Sequence, residues 1–212
     1  MRLRAFLLPA LIALPAGSVL SGGWAVVTVE NPPENLVVGV PYTLEYSVRQ
    51  HGQTLLDGLS GRVEATATNR AERVVAKETS AKGKYVATLV LPAEGLWTIT
   101  VHSGFGQSKT TMKPIRVLVP GAPVVAMSPA ERGEQLFTAK GCVTCHVEMK
   151  VLPVDIRSNK YDEKFVKQLL ADPKSMPKRH NVGLDMPNLN LKSAEIAALA
   201  AYLAGPNSTG TR

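Results

Sequence analysis

Two cysteines and a histidine fall within five residues, Cys142-Val143-Thr144-Cys145-His146, and the 212-residue chain has no other cysteine. A disulfide across two intervening residues closes a very small loop and stabilises little. A structural zinc ion takes about four ligands. The other histidines, His51, His102 and His180, have no second ligand at helical or hairpin spacing. A thioredoxin-like redox pair expects a βαβ setting, and no alternation of strands and helices surrounds this one. The chemistry that fits is C-x-x-C-H attachment of haem. Two thiols on one helical turn add across the two vinyl groups of one porphyrin edge. The next residue then lies beneath the ring, and its imidazole reaches the iron. The spacing therefore predicts one covalently held haem c on Cys142 and Cys145, with His146 as proximal axial ligand.

The iron has a sixth position, for which Met149, Met176, His180 and Met186 are the candidates. Met149 follows His146 by three residues and lies on the same side of the ring. Met186-Pro187 sits on a loop forty residues beyond His146, long enough to wrap round the ring, and is the expected distal ligand. Met176-Pro177 looks alike but follows the preceding helix closely; it remains the rival, with His180 or an open position behind it. A saturated iron has no place for substrate, which points to electron transfer rather than catalysis.

The elements that hold these residues differ on either side of residue 120. Residues 26–119 alternate in polarity and are rich in Val, Thr and Tyr. Tyr42, Leu44, Tyr46 and Val48 share one face, and Trp97, Ile99 and Val101 share another. Turn signals such as Asn31-Pro32-Pro33, His51-Gly52 and Lys82-Gly83 separate about seven short strands, the pattern of an immunoglobulin-like antiparallel β-sandwich. Residues 120–128, rich in Pro, Gly and Ala, read as a linker. Residues 129–205 carry three helices. The first has Ser128-Pro129-Ala130-Glu131 as a capping box, the second spans about 162–171 and the third about 193–204. Residues 206–212 are a polar tail. The expected fold is thus two-domain, β plus α: a sandwich followed by an all-α haem domain.

Residues 1–25 read as an export leader. Arg2 and Arg4 precede an apolar stretch, and Gly23-Trp24-Ala25 offers a cleavage site after Ala25. The apolar run is broken by Pro9, Pro15 and Gly17 and is shorter than the roughly 20 residues of a span. An uncleaved anchor is the alternative. The expected location is the periplasm or the outer face of the cytoplasmic membrane. The net charge is +7, two of it from the leader, with no basic block of the kind nucleic acid selects.

Residues 129–204 resemble a class I cytochrome c domain. The resemblance rests on Gly133-x-x-x-Phe137, the C-x-x-C-H stretch, Met186-Pro187, and Glu195-Ile196 with Leu199 and Tyr202-Leu203. It implies that the first and last helices cross near Gly133 and pack through Phe137 and Tyr202. It also implies a proline carbonyl that accepts the proximal imidazole N–H, for which Pro153 is the match. Met176-Pro177 departs from the pattern, since similar domains often have another residue before that proline. The sandwich resembles FixH-like and YtkA-like exported domains, through Val40-Pro41-Tyr42-Thr43-Leu44, Gly83-Lys84-Tyr85 and Glu94-Gly95-Leu96-Trp97. Those families are associated with redox assembly and copper handling. His51, His102 and Met112 are the sandwich's soft ligands, so a copper site there is an alternative to scattered side chains. The functional expectation is a one-haem electron carrier, not an enzyme, whose partners are redox proteins of a membrane respiratory complex, with the β-domain docking or spacing it. The alternatives are an accessory or assembly subunit of a membrane oxidase or reductase, and a haem enzyme or gas sensor with a labile sixth ligand.

Overall fold

The computed structural model describes residues 23–149, 161–175 and 185–204. Residues 1–22, which hold most of the expected leader, Pro153, Met176, His180 and the expected polar tail lie outside them.

Two sheets face each other across an apolar core. The first contains β1 (Ala25–Val29), β3 (Tyr42–Gln50), β8 (Lys84–Leu89) and β7 (Lys77–Glu78) in that order, with β4 (Thr54–Leu55) hydrogen-bonded to β3. The second has the order β2 (Asn35–Val37), β11 (Ile115–Leu118), β9 (Gly95–His102), β5 (Arg62–Ala67), β6 (Arg70–Val75), and β10 (Lys109–Thr111) pairs with β9. The two-residue periodicity sends Leu44, Tyr46 and Val48 inward from β3 and Trp97, Ile99 and Val101 inward from β9, all fully buried.

Three departures from the expected strands have local causes. Pro114, which cannot donate to a ladder, separates β10 from β11. Ala76 separates β6 from β7, which belong to different sheets. Finally, β2, a three-residue strand after Pro32-Pro33, pairs in parallel with β11, so the sandwich is mixed rather than wholly antiparallel.

The helices follow their caps. In α1 (Pro129–Ala139) the Ser128 hydroxyl accepts from the Glu131 N–H at 3.3 Å, and the Glu131 carboxylate accepts from the Ser128 N–H at 2.8 Å. The Asp162 carboxylate opens α2 (Glu163–Ala171) by accepting from the Phe165 N–H at 2.7 Å. For α3 (Ser193–Ala204) the Glu195 carboxylate accepts from the Lys192 N–H at 2.9 Å, so a carboxylate closes the first turn one residue earlier than Ser193 would.

Helices α1 and α3 cross at Gly133, where a Cβ would lie 2.1 Å from the Ala198 carbonyl oxygen. Only a residue without a side chain permits that approach. Beside it the rings of Phe137 and Tyr202 pack with centroids 5.8 Å apart, as the cytochrome resemblance implies.

The stretch at 120–128 does not separate the two parts, because α1 lies directly on the sandwich. Arg132 donates to the Pro32 carbonyl at 2.8 Å and Gln135 to the Pro33 carbonyl at 3.0 Å. Ala139 joins the core of the sandwich. Lys140, whose side chain is 4% exposed, donates to the Glu30 carbonyl at 2.8 Å and pairs with Glu195 of α3 at 2.9 Å. Its ammonium therefore ties β1, α1 and α3 together in a desolvated position.

Two outcomes are expected from these contacts. Removing one partner of a buried ion pair leaves the other charge uncompensated, which costs about 3–5 kcal/mol, whereas neutralising both costs far less. Lys140→Met is expected to lower the unfolding free energy obtained from denaturant titration by that amount, and adding Glu195→Gln to recover at least half of it; equal losses in the two proteins would contradict the buried-pair account. The second outcome concerns the leader. Ala25 is buried in β1 and donates to the Ser108 hydroxyl at 2.9 Å, and the Trp24 carbonyl accepts from the His51 N–H at 3.0 Å. A cut after Ala25 would remove both. N-terminal sequencing of the mature protein is expected to start at or before Trp24, and a start at Val26 would show that these bonds are dispensable.

Candidate cofactor site

Helix α1 stops because Gly141 takes a left-handed conformation, φ +77°. Gly141 also abuts β1, where a Cβ would lie 2.5 Å from the Val27 carbonyl oxygen. The chain then winds into a π-helical turn, Thr144–Glu148, in which the Met149 N–H donates to the Thr144 carbonyl at 2.9 Å. Such wide turns are rare but are frequently found at functional sites. This one presents Cys145 and His146 to the same space as Cys142.

That space is a partly enclosed cleft. One wall is Cys142, Cys145 and His146. A second is the loop carrying Asp185, Met186, Pro187 and Leu189. The third comes from the sandwich, through Val26, Thr28 and Arg49 and the turn formed by His51, Gly52 and Gln53.

The donor set fits a covalently attached haem. Burial pushes the Cys142 thiol up to about 12, the neighbouring Cys145 adding to the shift, and burial raises Cys145 to about 11. Both sulfurs are therefore uncharged at neutral pH, and thioethers, which carry no charge, suit this environment. Burial lowers the pKa of His146, favouring the neutral imidazole that ligates metals. Among the described residues its buried Nδ1 has no hydrogen-bond partner, an arrangement that calls for an acceptor of the kind that orients ligating histidines. Pro153, expected to supply that carbonyl, lies outside the described residues. Arg49 is the sandwich's cation on the cleft wall, held by a 2.7 Å bond to the Ser47 hydroxyl. It would complement the carboxylate side chains of the porphyrin.

Met186 is half-buried and packs against the helical core while lining the cleft with His146. Met149 is 44% exposed at the end of the π turn and is not part of the lining. Met176 and His180 lie outside the described residues. The soft ligands of the sandwich are not gathered into a copper site. His102 pairs with Glu64 at 3.1 Å, Met112 is buried in the core, and His51, which lines the cleft, packs at a tilt against Trp24 with ring centroids 5.4 Å apart. Among the described residues no three His, Cys, Asp or Glu side chains are grouped to hold a metal ion.

Sequence reasoning missed the contribution of the sandwich to this site. Arg49, Gly52 and Gln53 lie about ninety residues before the cysteines, and no spacing connects them. The one local signal was the His51-Gly52 turn, which reads as a hairpin and says nothing of what the hairpin faces.

The cytochrome c family model matches residues 130–205. Curated proteins offer no match in sequence. Among solved structures, the superoxide reductase (neelaredoxin) of Ignicoccus hospitalis is similar at 16% identity and a TM-score of 0.31, covering 48% of this chain and 86% of that one. Domains 4 and 5 of the S-layer protein SbsC are similar at 19% identity and a TM-score of 0.30, covering 43% of this chain and 50% of theirs. Likenesses this weak carry no functional argument, and the FixH-like and YtkA-like resemblance of the sandwich rests on its sequence pattern alone. The family match covers the helices, the C-x-x-C-H turn and the Met186 loop together: residues 130–205 form a cytochrome c domain, whose cofactor is covalently bound haem c.

Proposed function

We propose that this protein is an exported carrier of single electrons, with Cys142 and Cys145 as the covalent attachment points, His146 as proximal ligand and Met186 as distal ligand. The observation that carries the proposal is the convergence of these four side chains on one cleft. When bound, the haem supplies one-electron chemistry at an iron whose imidazole–thioether ligation raises the reduction potential above that of bis-histidine ligation. The chain's own part is to hold, orient and shield. With haem bound, His146 and Met186 would be the iron's protein ligands, and a fully ligated iron would leave no position for a substrate. The Met186 loop and the sandwich exclude water from two sides.

Export is supported by the leader-like composition of the first residues. Among the described residues no helix is long and apolar enough to cross a membrane. Partners of this reading are redox proteins of a membrane respiratory complex, met through a mildly basic surface. The sandwich does more than space or dock the haem domain in this account, since it forms one wall of the haem site.

Absorption spectra of the ferric holoprotein beside Met186→Ala and Met176→Ala test the ligand set. The methionine-to-ferric-haem band is expected in the wild type and in Met176→Ala and is expected to vanish in Met186→Ala. The ferrous wild type is expected to bind carbon monoxide slowly and incompletely. Loss of the band in Met176→Ala alone, or rapid carbon monoxide binding by the wild type, would overturn the assignment.

A further inference from the structure

The turn between β3 and β4 is built with unusual firmness for an exposed loop. His51 and Gly52 both have positive φ, +51° and +73°, and the Gln53 N–H donates to the Gln50 carbonyl at 2.9 Å. This is the geometry of a type I′ turn, in which Asn-Gly is the usual occupant. A histidine in the left-handed region is uncommon, and such outliers concentrate where the chain serves a site. The turn is secured from behind by the bond from the His51 N–H to the Trp24 carbonyl and by the Trp24 ring.

What the turn presents to the cleft is specific. A Cβ built on Gly52 would lie 3.8 Å from Cys145 Sγ, so the turn backs directly onto a haem-attachment sulfur. The next side chain, Gln53, donates through Nε2 to the carbonyl of Asp185, the residue immediately before Met186. One three-residue turn therefore touches both the attachment turn and the distal-ligand loop.

We infer that Gln53 is a positioning residue for axial ligation: the sandwich holds the Met186 loop against the cleft through the Gln53–Asp185 bond. This rests on Met186 being the distal ligand. A loop held from outside loses its methionine less readily to competing ligands, because displacement must also break or strain the hydrogen bond. A typical net hydrogen bond corresponds to about a three- to tenfold change in an equilibrium constant. In this reading the β-domain is a determinant of the haem site's ligand exchange and potential rather than a separate module.

The test is a titration of the ferric holoprotein with imidazole, in the wild type, Gln53→Ala, Gln53→Glu and Met186→Ala. Gln53 is exposed on a turn, so neither substitution disturbs a core. Gln53→Glu keeps the shape but removes the donor. Both Gln53 variants are expected to bind imidazole about three- to tenfold more tightly than the wild type, while retaining the methionine-to-ferric-haem band at zero imidazole. Met186→Ala is expected to lack the band and bind more tightly still. Wild-type imidazole affinity in both Gln53 variants, with the band lost in Met186→Ala, would overturn the clamp and leave the ligand assignment standing. A band that survives Met186→Ala would overturn the ligand assignment and the clamp with it.

Discussion

Two consecutive residues, Lys140 and Gly141, hold this molecule together. The Lys140 ammonium bonds the carbonyl of Glu30, the first residue after β1, and the carboxylate of Glu195 in the first turn of α3. Gly141 sets its backbone against the Val27 carbonyl in a conformation and a space that exclude any side chain. Cys142, the first cysteine of the C-x-x-C-H stretch, follows at once. The position of Cys142 is therefore set by contacts with the β-sandwich and with the last helix, and not by α1 alone. A buried ion pair contributes little net stability by itself, but leaving either of its charges unpaired in a desolvated position is costly.

From that junction the cofactor site follows by short steps. The π turn after Gly141 brings Cys145 and His146 to the cleft, the crossing of α1 and α3 at Gly133 sets the helical floor, and the chain before α3 supplies Met186 opposite. The sandwich then closes the remaining side with β1, Arg49 and the His51–Gln53 turn. The cytochrome c match covers the first two sides of this enclosure and does not extend to the third. An added domain that packs on the haem cleft changes which edges are open to a partner, and so bears on how electrons enter and leave.

Much of this was legible in the sequence, and the reasons are physical. Covalent attachment and ligation fix the separation of Cys142, Cys145 and His146 to the residue, so the motif reads without context. The Ser128–Glu131 capping box is a local pattern, and the structure contains it. The inward faces of β3 and β9 follow from two-residue alternation. What did not show in the sequence depends on contacts remote in the chain. Nothing near Lys140 marks it as buried; it resembles any basic residue at a helix end until Glu195 and Glu30 arrive from elsewhere. The parallel pairing of β2, the division of a strand at Pro114 and the reach of Gln53 to Asp185 are likewise products of topology.

The sandwich and the cytochrome c domain share contacts through Arg132, Gln135, Ala139 and Lys140, so the two are expected to unfold as one cooperative structure. Both tryptophans of the chain, Trp24 and Trp97, lie in the sandwich, whereas the long helices lie in the other part. Guanidinium unfolding of the holoprotein, followed at once by tryptophan emission and by the helical circular dichroism signal, reads the two separately. The account predicts coincident transitions with one midpoint. A helical transition complete while the tryptophan signal remains native, or the reverse, would contradict it.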